Sequence, residues 1–93
     1  MRYTKGTLKK VETLLKELGY TIRYEKGSFM SGYAIVEHRK IAVINRFFDA
    51  EARINALSEI LSKIEVDEGV LTEESLDMFY LLKVAQKTLE DEA

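Results

Sequence analysis

The sequence predicts an α+β domain in which helices pack on a three-stranded antiparallel sheet, in the order helix, three strands, helix, helix. Two observations support this class. Apolar residues recur at helical spacing near both ends of the chain, and β-branched and aromatic residues cluster in short runs between them. With 93 residues, 46% apolar and 32% charged, the chain is expected to form one globular domain over residues 1–93.

Helix one is predicted over residues 5–18, because apolar side chains recur there three and four positions apart, with lysines and glutamates between them. Gly19 follows as a C-terminal stop. The next residues, YTIRYE, alternate apolar and polar side chains. This pattern predicts strand one over residues 20–26, with one apolar face.

A β-hairpin is predicted from two runs rich in β-branched and aromatic residues, FMSGYAIVE and IAVIN, which are separated by the turn EHRK. The run IAVIN is apolar on both faces. Such a pattern is typical of a strand covered on both sides, or of an interior strand that also meets a partner chain.

Two further helices are predicted in the second half of the chain. Asp49 can cap helix two, expected over residues 50–64, and Thr72 can cap helix three, expected to run to about residue 89. Helix three contains LDMFYLLKVA, which is apolar around more of its circumference than one small core needs. An oligomer interface that includes Met78, Phe79 and Leu82 is therefore expected.

Composition limits the chemistry that the chain can carry. Cysteine is absent and His38 is the single histidine, expected as a solvated turn residue. The N-terminal residues MRYTKGTLKK lack an apolar run of signal-peptide length, and no stretch approaches the roughly 20 apolar residues of a membrane span. We expect a soluble cytoplasmic protein without a membrane segment, a cofactor or a metal.

Charge is distributed unevenly along the chain. Residues 1–46 carry ten Lys or Arg and four Asp or Glu, a net charge of +6, whereas residues 47–93 carry four and twelve, a net charge of −8. The two halves can neutralise each other within the fold. They can also favour head-to-tail or reciprocal self-association, or an anionic partner on the N-terminal half.

Helix two carries a polar stripe that holds Ser58, Glu59 and Ser62. In the simplest interpretation the stripe faces water, and Glu59 pairs with Lys63 four positions later, a contribution of about 0.3–0.5 kcal/mol. Arg53 projects to the apolar side of the same helix. Its guanidinium is expected to find a carboxylate in a structural ion pair, or to contact a ligand or an interface.

The segment IAVINRFFDAEARINALSEILSKI resembles the part of minimal bacterial gluzincin-type metallopeptidases in which an edge strand leads to an Arg-bearing helix with the motif H-E-x-x-H. Ser58 and Ser62 occupy the two histidine positions, Glu59 occupies the general-base position, and Arg53 matches the preceding arginine. The order of helices and strands is also similar. As a whole, the chain resembles small bacterial proteins of unknown function.

The differences from this motif determine what the resemblance implies. A zinc site of this type needs two imidazoles and a third protein ligand, whereas a serine hydroxyl is a poor zinc ligand. Without zinc no water is activated, and Glu59 has nothing to act on as a base. The resemblance therefore implies a metal-free scaffold that was kept for binding or assembly.

Nucleic-acid binding is an alternative hypothesis, because basic and aromatic residues interleave in RYTKGTLKK and TIRYEKGSFMSGY. Two arguments count against it: Tyr20 and Tyr24 share a face with Ile22 and are expected in the core, and the overall balance is acidic. The candidate cations are Lys5, Lys9, Lys10, Lys16, Arg23, Lys26, Arg39 and Lys40.

The leading hypothesis is a non-catalytic interaction or regulatory module that forms a homodimer or another homo-oligomer. Its motivation is the strongly apolar helix three, the uneven charge and the missing zinc ligands. A third hypothesis is a metal-dependent hydrolase that uses Glu59 with an unrecognised metal, or with an acidic partner such as Glu73 or Glu74.

Overall fold

The computed structural model describes residues 1–27 and 32–92, with side chains described to residue 86. It has the predicted α+β class and element order, with two short 3-10 turns at residues 37–39 and 68–70. Residues 29–31 of the predicted hairpin lie outside the described part. The main elements are α1 (Lys5–Glu17), β1 (Thr21–Glu25), β2 (Tyr33–Val36), β3 (Ile41–Asn45), α2 (Ala50–Lys63) and α3 (Glu73–Glu92).

The predicted helix boundaries have the expected hydrogen bonds. The side chain of Asp49 accepts a hydrogen bond from the amide of Ala52 at 2.9 Å and caps α2. The hydroxyl of Thr72 accepts one from the amide of Ser75 at 3.3 Å, at the start of α3. After α1, Gly19 has a φ of +89°, a conformation that favours glycine and ends the helix. All three predictions are confirmed.

The sheet is mixed, and this corrects the prediction of an antiparallel sheet. Its strand order is β1-β3-β2. The predicted hairpin is present, because β2 pairs antiparallel with β3, but β1 pairs parallel with β3. The last residue of β1 and the first residue of β2 therefore lie at the same end of the sheet, on opposite sides of β3 and about 10 Å apart.

The central strand β3 differs in burial between its two faces. Ala42 and Ile44 are fully buried on the face that α2 contacts, whereas Ile41 and Val43 alternate onto the other face and are partly exposed. β3 is thus an interior strand of the sheet, but the prediction that both of its faces are covered is wrong for the single chain. Contact of the second face with a partner chain stays a prediction.

The core is built around α1, which packs against α2, α3 and β1. Its three residues Val11, Leu14 and Leu15 have no exposed surface. Burial of each such side chain is worth about 1.5–3 kcal/mol. The other fully buried large side chains come from β3 and α2 and are Ile44, Ile54, Leu57 and Ile60.

Polar contacts join the end of α1 to the start of α3. The carboxylate of Glu17 accepts hydrogen bonds from the amide of Thr72 at 2.9 Å and from its hydroxyl at 3.0 Å. Two turns earlier on α1, the ammonium group of Lys10 lies 3.9 Å from the carboxylate of Glu74.

Among the described helices, none is both long enough and apolar enough to cross a membrane.

The bond between Glu17 and Thr72 predicts a pH-dependent part of the stability. The Thr72 amide lowers the pKa of Glu17 from its ordinary value of 4.5, with help from the hydroxyls of Ser75 and Thr72, against the opposing effect of burial. Because the folded pKa is the lower one, the bond stabilises the fold above the unfolded pKa. This stabilisation is lost as the pH falls through the folded pKa.

We therefore expect Glu17→Gln to lower the urea midpoint at neutral pH, and the difference from wild type to shrink as the pH falls below 4.5. Glu65→Gln, at an exposed position, serves as the control and should keep the wild-type pH profile. A difference between Glu17→Gln and wild type that stays constant down to the acid transition would contradict this assignment.

A close contact at Gly32 gives a second prediction. This residue has a φ of +82°, and an added Cβ would lie 2.1 Å from the ring of Phe48. We expect Gly32→Ala to destabilise the fold by about 1–3 kcal/mol, through backbone strain and overpacking. In Gly6→Ala the nearest atom would be 3.7 Å away, in a helix, so this control should be neutral or slightly stabilising. Urea unfolding compares the two variants.

Candidate functional site

The three motif positions on α2 do not share one environment. Ser58 is buried, which corrects its predicted place on a solvated stripe, whereas Glu59 and Ser62 are exposed. The hydroxyl of Ser62 donates to the carbonyl of Glu59 at 2.6 Å and so serves the helix backbone. Ser58 and Ser62 line a groove of about 500 Å³ between α2 and α3. Glu59 is not among the residues that line this groove.

Lys63 has a different principal partner from the one predicted. Its ammonium group donates to the hydroxyl of Tyr33 at 2.6 Å and lies 5.2 Å from the centre of that ring. The bond to Tyr33 is the largest cause of a raised pKa for Lys63, and the charge of Glu59 is the smallest. The predicted Glu59–Lys63 pair is thus at most a long-range attraction, and Lys63 links α2 to β2.

The sequence predicted a carboxylate partner for Arg53. In the structure its guanidinium contacts two backbone carbonyls and an aromatic ring instead. Its Nε donates to the carbonyl of Phe48 at 2.9 Å, and its Nη2 donates to the carbonyl of Arg46 at 2.9 Å. The guanidinium also lies 4.2 Å from the centre of the Tyr24 ring, a cation–π contact. Arg53 therefore fixes the loop between β3 and α2 against β1.

Tyr24 and Glu12 complete this network, and neither was predicted as a site residue. The Tyr24 hydroxyl donates to the carboxylate of Glu12 on α1. Burial and then the bond to Glu12 raise the pKa of Tyr24, so its hydroxyl stays protonated and remains a donor at neutral pH. Glu12, Tyr24 and Arg53 come from three separate elements, so no local spacing in the sequence could have joined them.

The α3 residues that were predicted for an interface lie in the protein's own core. Met78, Phe79 and Leu82 are 7%, 5% and 3% exposed. This corrects the choice of side chains but not the observation that α3 is apolar on more than one side. The exposed apolar residues of α3 are Tyr80, Leu81 and Val84, at 48%, 50% and 62%.

The predicted nucleic-acid cations do not form one patch. Lys5, Lys9 and Lys16 line a groove of about 610 Å³ between α1 and the start of α2, the α1–α2 groove, and Arg53 lines its α2 wall. Lys10 instead lies near Glu74 of α3. The remaining cations are Arg23 on β1, Lys26 just beyond it, and Arg39 and Lys40 at the hairpin turn, all of them exposed.

The two oppositely charged halves of the chain are joined by few direct ion pairs. In the described part, the pairs within 4.0 Å are Lys10–Glu74, which joins the halves, and Arg23–Glu25, which lies within one strand. Both are exposed, and such pairs are worth about 0–1 kcal/mol. Most of the charge asymmetry is thus displayed on the surface.

Among the side chains described, those of residues 1–27 and 32–86, no group of three or more His, Cys, Asp and Glu has an arrangement that could hold a metal ion. His38 is exposed in the 3-10 turn between β2 and β3, as predicted.

The role of Arg53 can be measured by a conservative substitution. Arg53→Lys keeps the charge but cannot place two N–H donors on the carbonyls of Phe48 and Arg46, so we expect a loss of about 1–2 kcal/mol in unfolding free energy. The matched control is Arg46→Lys at an exposed position, which should cost under about 0.5 kcal/mol. Equal urea midpoints for the two variants would show that Arg53 does not fix the loop.

The resemblance to gluzincins is based on Glu59, Arg53 and the order of the elements. One part of it is wrong: the strand that leads to α2 was expected at an edge of the sheet, whereas β3 lies in the centre, between β1 and β2. The structure adds that the two serine positions border one groove. Comparison of the chain with family models, with curated proteins and with solved structures gives no match. The gluzincin resemblance therefore stays a prediction from the residues themselves.

Proposed function

We propose that this chain is a non-catalytic interaction module, built on a degenerate zincin-like scaffold, that forms a homodimer through the solvent side of α3. The observation that carries this proposal is the exposure of Tyr80, Leu81 and Val84. At about 100° per residue, these three side chains lie on the side of α3 opposite to the core residues Phe79 and Leu82. Single exposed apolar residues are common in monomers, but three that share one side of a helix within little more than one turn form a contiguous apolar stripe, and such patches mark interaction sites.

If the two-fold axis of the dimer lies beside Tyr80, the stripe of one copy packs against the same stripe of the other copy. The two copies of α3 would then run antiparallel, so that the helix dipoles oppose each other. Asp77 lies three residues before Tyr80 and Lys83 lies three residues after it, so the axis brings Asp77 of one copy level with Lys83 of the other. The exposed charges therefore complement each other in this arrangement.

The area and energy favour a weak dimer. A standard interface takes about 800 Å² per partner, roughly an eighth of the chain's 6213 Å² of accessible surface. Burial of three half-exposed side chains on each copy contributes about 5–9 kcal/mol. Association costs about 4–15 kcal/mol. The apolar gain exceeds the cost by at most about 5 kcal/mol, so we expect weak association, with a dissociation constant of about 0.2 mM at best from the apolar surface alone.

Two contacts keep part of the stripe ordered before association. The hydroxyl of Tyr80 donates to the carboxylate of Glu68, which raises the pKa of Tyr80. The ammonium group of Lys83 lies 4.5 Å from the centre of the Phe79 ring and 5.8 Å from that of Tyr80. Side chains that are held in place lose less entropy on binding, and this supports the use of Tyr80 as an anchor.

The absence of catalysis is supported by the chemistry of the motif positions. Ser58 is buried and Ser62 is hydrogen-bonded to the helix backbone, and serine is a poor ligand for zinc. Glu59 has no imidazole at the positions four residues apart that a gluzincin requires. In this proposal the rest of the fold holds α3 in place, with its apolar stripe available to the second copy.

The proposal predicts a concentration-dependent dimer that a double substitution removes. Leu81→Gln with Val84→Gln keeps helix propensity and net charge but replaces the exposed apolar surface. We expect the sedimentation-equilibrium mass of wild type to rise towards that of the dimer as the concentration increases from about 10 μM to about 1 mM, and the double variant to stay monomeric. Circular dichroism checks that both are equally helical.

Phe47→Ser is the matched control, because Phe47 is the most exposed apolar residue outside α3, at 67%. It should dimerise like wild type. A wild-type protein of monomer mass throughout this range would overturn the homodimer proposal, and equal loss in Phe47→Ser would move the interface away from α3.

A further inference from the structure

The α1–α2 groove gathers cations on two walls. Lys5, Lys9 and Lys16 contribute from α1, and Arg53 contributes from α2. The groove also contains two carboxylates, but each already has a protein partner. Glu12 accepts from Tyr24, and Asp49 accepts from the amide of Ala52. These donors are neutral, so both carboxylates keep their charge, and four cations against two anions give the groove a formal charge of +2, although the whole chain carries a net charge of −2.

The lysines of the groove form a line and not a cluster. Steps of four and seven residues keep Lys5, Lys9 and Lys16 on one stripe of α1. Eleven residues of helix span about 16 Å. One phosphate or carboxylate group cannot reach both ends of this stripe, so the arrangement fits an extended chain of anionic groups.

Arg53 is held ready for such a ligand. Two of its N–H groups are bound by the carbonyls of Phe48 and Arg46, and one face of its guanidinium lies over the Tyr24 ring. A guanidinium has five N–H donors, so three are not used by these two carbonyl bonds. A fixed arginine loses little side-chain entropy when it binds an anion.

Aromatic surface lies next to the cations. Phe48 lines the groove and is half-buried. Phe47, the preceding residue in the chain, does not line the groove, but its ring is 67% exposed and lies 5.1 Å from the guanidinium of Arg46. A positive groove beside an exposed ring is the combination that holds single-stranded nucleic acid, because cations follow the phosphates and a ring stacks an unpaired base.

We infer that the α1–α2 groove binds single-stranded nucleic acid, with Lys5, Lys9, Lys16 and Arg53 on the phosphates and Phe47 stacked on a base. This site is separate from the α3 surface and does not depend on dimerisation. Within the basic N-terminal half it assigns the contact to one stripe of α1 and excludes Lys10, which lies near Glu74. A dimer would carry two such grooves, one on each chain.

The test is fluorescence anisotropy with a labelled oligothymidylate, measured at several salt concentrations. Contacts of four cations with phosphates predict a slope of log affinity against log salt of about −2.8. Lys9→Gln or Lys16→Gln should weaken binding severalfold at low salt and make this slope shallower by about 0.7. The double-stranded form of the same length should bind less tightly, because its bases cannot stack on Phe47.

Two further variants separate the parts of the site. Phe47→Ser should weaken binding about tenfold with the slope unchanged, because stacking releases no counterions. Lys10→Gln is the matched control on the same helix and should bind within about twofold of wild type. Leu81→Gln with Val84→Gln should keep the slope of wild type, so failure of the dimer proposal and failure of this one are distinguishable.

Three results would overturn the inference. The first is no binding at the lowest salt concentration. The second is a loss in Lys10→Gln as large as that in Lys9→Gln, which would mean that the α1–α2 groove is not the contact. The third is equal affinity for oligothymidylate and inorganic polyphosphate together with an unaffected Phe47→Ser, which would leave only nonspecific attraction of polyanions.

Discussion

The fold depends on the burial of α1, because every other layer of the molecule is placed by contact with this helix. Val11, Leu14 and Leu15 have no exposed surface, and α2, α3 and β1 all pack on the helix that carries them. A chain of this size has room for only one core. Once that core surrounds α1, the remaining stripe of the helix is left to lysines, and they form one wall of the α1–α2 groove.

The same constraint limits how α3 can be used. A helix that packs on α1 through one side needs only the stripe that contains Phe79 and Leu82, so Tyr80, Leu81 and Val84 remain outside. The contacts of Glu17 with Thr72 fix where α3 begins but do not cover this stripe. The apolar excess of α3 and the basic stripe of α1 are therefore two results of one packing arrangement, and each defines a separate surface.

Local signals in the sequence were sufficient for the elements themselves. The caps at Asp49 and Thr72 involve residues three positions apart, and the hairpin arises from a short turn between two apolar runs. Helix periodicity also identified most of the core, as in α1. These features could be predicted because the interacting groups are separated by a few residues, and a chain with few choices at that range has one strongly favoured local structure.

By itself, then, the sequence determined the class, the order of the elements, the helix caps and the two-sided apolar character of β3 and α3. Only the tertiary structure decided that β1 pairs parallel with β3, that Ser58 is buried, and that Arg53 binds carbonyls and the Tyr24 ring. The strand pairing and the contact of Arg53 with Tyr24 join residues far apart in the chain, and the burial of Ser58 depends on how α2 packs against other elements. The periodicity of one segment specifies which side is apolar, but the partner of that side is chosen by how all segments share a single core.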